Sequence, residues 1–426
     1  MTTDSRQIAE IALERMQSAG FDDSFVSVTI SGQDELNLAH NEASLLRSTE
    51  NYSIALQGLL DSRKASATLT NISVDNIERE VAALRERVES APRDQANAVS
   101  SDQKGHFEQG PLESDLDLLA EKASEVLAFR AEHTPKVTID EGAVAHRVAR
   151  TQELTSRGTE LSSTVGCLEL GVMCTATDNG KSSSFNYSGG RANALAGQPA
   201  AEWFAIGDML RDTQNQVETR SIDSRFSGEV ILAPSAVSDL VDWLLQQLGA
   251  QALIAGSSVY RDSVGEQVAA TELSLHSCFD APGHVPFTVD GFNADPIQLL
   301  ENGRLTTLLL DLYGSRKTGL PHTPSTSGWR IEPGDQSRAE LISSVARGAL
   351  VSRLSMGAPA ANGDFSGVIK NSFIIEDGQV GSALAETMVA GNMARMLLDI
   401  DGISAEHIDY GGEDYPWLRI PGMHFS

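Results

Sequence analysis

The stretch 228–268 constrains the chain more than any other, because it couples a buried strand to a helix that can pack by one face only. Val230, Ile231 and Leu232 form a short apolar run, the pattern of a strand covered on both sides. Pro234 stands at the first helical position, where a residue without a backbone donor loses no hydrogen bond. Val237, Leu240, Val241, Leu244, Leu245 and Leu248 then recur at helical spacing, with Asp239, Asp242, Gln246 and Gln247 opposite and Gly249 as the stop. A helix with one such stripe needs a layer to lie on.

The surrounding sequence supplies strands for that layer. Alternation predicts strands over 287–292, 297–301, 305–312, 350–354, 366–375 and 379–382, and Asn302-Gly303 and Asp377-Gly378 are two-residue hairpin turns. Helices are expected over 336–348 and 389–400. Residues 220–426 therefore read as a mostly antiparallel β-domain, curled toward a barrel, with packed helices. Residues 1–219 read as a separate α+β domain. Its helices are expected over 5–19, 74–88, 114–131 (capped by Ser114) and 200–217, and its strands over 24–31, 52–60, 64–69, 136–155 and 159–177. Asp178-Asn179-Gly180 closes a hairpin, and the polar, aperiodic stretch 90–111 reads as an exposed, mobile loop.

Composition narrows the function classes. Among 426 residues, Lys and Arg number 32 against 59 Asp and Glu, a formal charge of −27. A field of that sign repels nucleic-acid phosphates and anionic membrane surfaces. The three cysteines, Cys167, Cys174 and Cys278, read as reduced thiols. The amino end shows no basic segment followed by an apolar run, and no stretch approaches the ~20 apolar residues of a membrane span. The expected location is the cytoplasm.

Several short motifs in the second half, in a fixed order, identify a likeness. They are Glu301-Asn302-Gly303-Arg304-Leu305, Arg316-Lys317-Thr318-Gly319-Leu320, Gly328-Trp329-Arg330-Ile331, Gly363-Asp364-Phe365-Ser366, Glu376-Asp377-Gly378, the run from Glu386 to Asn392, and Pro421-Gly422-Met423. In this order the chain resembles the TldD/PmbA family, and its PmbA (TldE) branch in particular. The resemblance implies a two-subunit zinc peptidase. In the TldD branch the helix equivalent to that at Pro234 opens with His-Glu-x-x-x-His, and a cysteine near the C-terminus completes the site; imidazoles and a thiolate hold Zn²⁺ while the glutamate polarises water. Here that helix opens with Ala233-Pro234-Ser235-Ala236-Val237-Ser238, and Gly411 to Leu418 contains no cysteine. The resemblance thus implies a chain without its own zinc or catalytic residue. Zinc is expected in a TldD-like partner subunit, in a heterodimer that cleaves unfolded peptides. The family also carries the label modulator of DNA gyrase, and the negative charge argues against direct DNA contact.

Other candidates come from the residues themselves. Trp329 and Arg330, after a Pro/Ser/Thr-rich loop, combine a flat apolar body with a fork of donors, the makings of a recognition spot. The competing reading has Trp329 capping the core and Arg330 paired with an acid. With Gly391 and Asn392, from the matching run, they are the expected peptide or partner contacts. His276, Cys278 and His284, with Asp280, are a fallback set of metal ligands for an independent hydrolase, although their spacing matches no zinc ribbon or finger. A homodimeric binding or regulatory protein is the third alternative. Tyr415, Pro416 and Trp417 form a second aromatic cluster, and Cys167 and Cys174 read as buried, inert thiols.

Overall fold

The computed structural model describes residues 4–326 and 328–426. Two sheets carry the chain. The first is built from β1 (Asp23–Ala39), β2 (Glu42–Leu60), β3 (Arg63–Leu69), β4 (Lys104–Gln109), β5 (Val137–Thr155), β6 (Glu160–Asp178), β7 (Lys181–Ser182) and β8 (Asn186–Ala192). Its order is β3-β2-β1-β5-β6-β4, with β7 and β8 also on β6. Helices α1 (Ser5–Ser18), α2 (Val74–Ser90) and α3 (Leu116–His133) cover it. Ile8 and Met16 of α1 and Ile77, Val81 and Leu84 of α2 pack on Val26, Val28, Ile54 and Leu56, while Leu119 and Val126 of α3 join Ile139 and Leu170. This is the α+β layer that strands backed by amphipathic helices require.

Three local expectations need correction here. The first two strands run to 17 and 19 residues, far beyond 24–31 and 52–60. His40 and Asn41 join them with φ of 51° and 68°, the left-handed pair whose twist suits a two-residue hairpin. Residues 42–48 are exposed on both faces, so nothing there alternates. The segment 90–111 is not simply an exposed loop: β4 lies within it, pairing parallel with Glu160–Val165 of β6, and Ser100 and Ala96 are buried. Its backbone satisfies a sheet edge, which polarity does not reveal. The cap of α3 is Asp115, whose carboxylate accepts from the amides of Asp117 and Leu118, and not Ser114.

A 3₁₀ turn (Ala200–Ala205) and α4 (Ile206–Asn215) follow, where one helix over 200–217 was expected. Phe204 and Ala205 both take φ of 54°, which interrupts the helix. The second sheet then uses β9 (Thr219–Arg220), β10 (Phe226–Leu232), β11 (Leu275–Ser277), β12 (Gln298–Glu301), β13 (Arg304–Leu305), β14 (Trp329–Ile331), β15 (Arg347–Val351), β16 (Arg353–Met356), β17 (Asp364–Lys370), β18 (Phe373–Glu376), β19 (Gln379–Leu384), β20 (Thr387–Asn392), β21 (Gly402–Asp409) and β22 (Glu413–Phe425). Helices α5 (Pro234–Leu248), α6 (Ala250–Ala255), α7 (Leu312–Thr318), α8 (Arg338–Ser343) and α9 (Met393–Asp399) accompany it.

Most pairings in this sheet are antiparallel, but β10 runs parallel to β15, β14 to β22 and β9 to β19. The stretch 287–292 is a turn, because Asp290-Gly291 bends it and Thr288 and Phe292 bond across. Strand structure expected to 312 ends at Leu305, and Asp311 caps α7 through the amide of Gly314 at 2.7 Å. Likewise 389–392 stays in β20, since the Asn392 side chain starts α9 by accepting from the Arg395 amide at 3.0 Å.

The step from β10 into α5 is the centre of this half. β10 lies between β15 and β22, and α5 leaves its carboxyl end with Pro234 in the first turn. Val237, Leu240, Val241, Leu244 and Leu248 are at most 2% exposed in the largest core, each contributing about 1.5–3 kcal/mol by burial. Across the sheet, Ile231, Leu350, Leu341 of α8 and Trp417 form a smaller core. The polar side of α5 is not simply wet: Gln247 is buried and its amide oxygen accepts from the Val259 backbone.

Candidate functional site

A cavity of about 710 Å³ opens where the first turn of α5 meets the start of β22. Its position follows from strand direction. β10 and β15 run parallel and end side by side at Leu232 and Val351, while β22 runs the other way, so that its first residues project past those ends. Crevices outside the carboxyl ends of parallel strands are common ligand sites. On α5 a second stripe lines this space. Ser235, Ser238, Asp242 and Leu245 recur at i, i+3, i+7 and i+10, beside the leucine stripe.

The opposite wall comes from the first half of the chain: Asn186–Arg191 of β8, then Ala205, Asp208, Met209 and Asp212. The turn at 410–412 ties the walls together. Arg191 donates its backbone N–H to the Tyr410 carbonyl at 3.0 Å, and a Cβ on Gly411 (φ 82°) would stand 2.1 Å from the Arg191 carbonyl oxygen. Only glycine permits that approach.

The cavity holds more acid than base. Ser238 donates to Glu413 at 2.7 Å, and Ser235 donates to the Ser352 carbonyl at 2.7 Å. Burial pushes Asp239, next to this face, up to about 6, with help from Asp242 and Glu413. Burial also raises Asp242 and Glu413; for Glu413 the Ser238 hydroxyl opposes the rise and Asp242 adds to it. Asp212 is pushed up to about 6 by burial, against the pull of Arg338. The Arg338 guanidinium lies 4.8 Å from the Trp417 ring centroid. Trp329, Tyr187, Tyr410 and Tyr415 complete the lining, and burial holds both Tyr410 and Tyr415 above the ordinary phenol range.

The expected contact residues separate in space. Trp329 pairs with Glu413 across β14 and β22, and Arg330 with Asp414. Adjacent strand residues face opposite sides, so only Trp329, buried at 6% exposure, reaches the cavity. Arg330 turns away to bond Asp414 at 2.7 Å, and His407 contacts the same carboxylate. The exposed Trp–Arg spot is therefore replaced by a core tryptophan and a paired arginine. Gly391 and Asn392 are outside the lining: Met423 fills the space above Gly391, and Asn392 caps α9 and bonds Asp364.

Of the fallback ligands, His284 and Cys278 both pack about Gly328 while His276 stands apart from them. His284 lies at the cavity against Gly328 and Gly412, His276 sits 3.8 Å from Glu332, and Cys278 is a buried thiol pushed up to about 11 by burial. Among the described residues no three His, Cys, Asp or Glu side chains are grouped to hold a metal ion. A catalytic Zn²⁺ draws on three protein ligands, mostly imidazole or thiolate. The first turn of α5 and the start of β22 offer hydroxyls, carboxylates and proline, so this donor set does not fit zinc. Cys167 and Cys174 are buried and free, as expected of inert thiols. The acids on α4 and the tyrosine of β8 escaped the sequence reading. Asp208 and Asp212 do stand four apart on one helix face, a signal that says nothing about what lies opposite.

Residues 227–426 match the PmbA/TldA metallopeptidase C-terminal domain. The chain is 26% identical over 401 residues to Metalloprotease PmbA of Escherichia coli O157:H7, covering 85% of this chain and 84% of that one. It is 24% identical over 224 residues to a Zinc metalloprotease TldD homolog of Saccharolobus solfataricus, 48% of this chain and 50% of that one. Its fold matches the crystal structure of TldE from Thermococcus kodakarensis with a TM-score of 0.83 at 19% identity, over 98% of this chain and 100% of the other. No helix among the described residues is long and apolar enough to cross a membrane.

Proposed function

Since the chain belongs to the PmbA/TldD family, we propose that it is the PmbA/TldE-type subunit of a two-chain peptidase, acting in the cytoplasm without a zinc site of its own. A TldD-like partner supplies Zn²⁺ and activates the water; this chain supplies chamber wall and peptide contacts. One observation carries the reading. The two segments to which the resemblance assigns the ligands of the TldD branch face one cavity and present Pro234, Ser235, Ser238, Asp242 and Glu413. The scaffold of the site persists with a different set of side chains.

Peptide contact has a physical basis in β8. Among the described residues the only strand paired with this one is β6, its other edge bonding Tyr410 at Arg191, and six consecutive residues of it line the cavity. An extended peptide can add to such an edge by main-chain hydrogen bonds, without regard to its sequence. Substrates of this kind are unfolded segments, since a folded chain does not offer a free strand. Nucleic acid is not a partner under this reading, because the net charge of −27 opposes it.

The test mixes the purified chain with a purified TldD-like zinc chain and follows cleavage of dye-labelled casein. Activity is expected only in the mixture, together with a complex of one copy of each on gel filtration. Full activity in the zinc chain alone, or any zinc-dependent cleavage by this chain alone, would overturn the proposal.

A further inference from the structure

Most carboxylates of the cavity lack an ion-pair partner among the described residues. Asp208 is paired with Arg211 at 2.9 Å, Arg191 is held by Glu169 at 2.9 Å, and Arg338 lies over Trp417 and faces Asp212. Asp242 and Glu413 remain in the lining, with Asp239 beside them. Among the described residues none of these three, nor Asp212, forms an ion pair, and Asp242 and Glu413 both oppose ionisation of Asp239. Like charges gathered without a counter-charge are destabilising, so the cluster has a cost that a ligand would relieve.

A second observation is independent of the acids. Tyr415 is 2% exposed and lines the cavity, and its hydroxyl has no hydrogen-bond partner among the described residues. It shares the lining of this space with Glu413 and Asp242. Buried tyrosine hydroxyls ordinarily find a partner.

We propose that this cavity binds a primary ammonium group carried by a peptide, held by Asp242 and Glu413, with Tyr415 bonding the adjoining peptide group and Trp329 and Tyr410 forming aromatic walls. An organic cation fits better than a metal ion for two reasons. No three ligating side chains converge among the described residues, and aromatic faces attract ammonium through their quadrupoles. The ammonium has two sources in a peptide, a lysine side chain or a free N-terminus. The inference deepens the reading of this cavity as a peptide-contacting wall, but binding is measured on the isolated chain, so it can fail while the two-chain peptidase assay succeeds, and the reverse.

The probes are decapeptides of Gly, Ala and Ser, titrated by calorimetry. One is capped at both ends with a central lysine, one is the same with acetyl-lysine, and one has a free N-terminus and no lysine. Binding by the lysine or the free-amine peptide, with at least tenfold weaker binding of acetyl-lysine, is expected, and the stronger of the two names the source. Asp242→Asn and Glu413→Gln should each weaken it about tenfold, with melting temperatures unchanged or raised, and Tyr415→Phe several-fold, with an unchanged melting temperature. Tyr415→Phe keeps the ring and core packing, so it decides the matter if a carboxylate variant does not fold. Acetyl-lysine peptide binding as tightly as the stronger of the two amine peptides, no binding of either amine, or stoichiometric Zn²⁺ lost in Asp242→Asn would overturn the assignment.

Discussion

Apolar burial seats both walls of the cavity, α5 on the largest core and α4 on another through Ile206, Met209 and Leu210, but the wall formed by α4 and β8 depends in addition on backbone contacts in strained or glycine-bearing turns. In the first wall Leu240 and Leu244 are at most 1% exposed, and the polar stripe is a by-product of how the leucine stripe seats. In the second, Ala205 takes a left-handed φ of 54° where the chain enters α4, and β8 is fastened to the far wall through Arg191 and Tyr410. Burial tolerates gradual loss, because each side chain gives up its own share. A backbone seam does not, because one misplaced atom displaces both walls.

The largest expected effect falls on that seam. Gly411→Val combines a disfavoured φ of 82° with a Cβ 2.1 Å from the Arg191 carbonyl, and should cost about 4 kcal/mol in urea unfolding. A loss below about 1 kcal/mol would mean that the walls meet more loosely than described. Leu244→Ala, in the fully buried stripe of α5, should cost about 3 kcal/mol by the same measurement. If it costs more than Gly411→Val, the contrast between the walls is reversed.

A smaller effect tests the first sheet by pH. Glu153 on β5 is pushed up to about 7 by burial, although the Ser27 hydroxyl favours its ionised form. A carboxyl whose folded pKa lies above its unfolded value keeps a proton that the unfolded chain has released. Its contribution is therefore present below the unfolded value and lost as pH rises through 7. Glu153→Gln should be more stable than the parent at pH 8 by on the order of 2 kcal/mol, with the gap closing by pH 4.5. Unfolding free energies with the same pH slope in both proteins would refute the burial of this acid. The smallest effect is Asn392→Ala, which removes the cap of α9 and should cost about 1 kcal/mol while leaving activation of a zinc partner unchanged. A specific loss of activation at full stability would return Asn392 to the contact surface.

The same contrast explains what could be read in advance. The leucine stripe of α5, its proline start and the Asp377-Gly378 turn were legible because each depends on neighbours within a few residues. Strand 5 and strand 6 were also legible, since one face of each lies under a helix. The hairpin tip at 42–48 was not, because both of its faces are exposed and alternation needs a difference between faces. β4 was missed for a related reason: a polar edge strand is specified by the partner it bonds, Glu160–Val165, some fifty residues away. Trp329 and Arg330 were legible as residues but not as directions, since pairing with β22 decides which of two adjacent side chains faces the cavity.

Sequence alone determined the helix on a sheet, the acidic surplus and the absence of a His-Glu-x-x-x-His helix, because these are properties of residue type and short-range period. Tertiary structure decided that Ser238, Asp242, Glu413 and Tyr415 share one space with Asp212 of a distant helix. That meeting is fixed by strand direction and by the close approach at Gly411, and neither leaves a periodic trace in the chain.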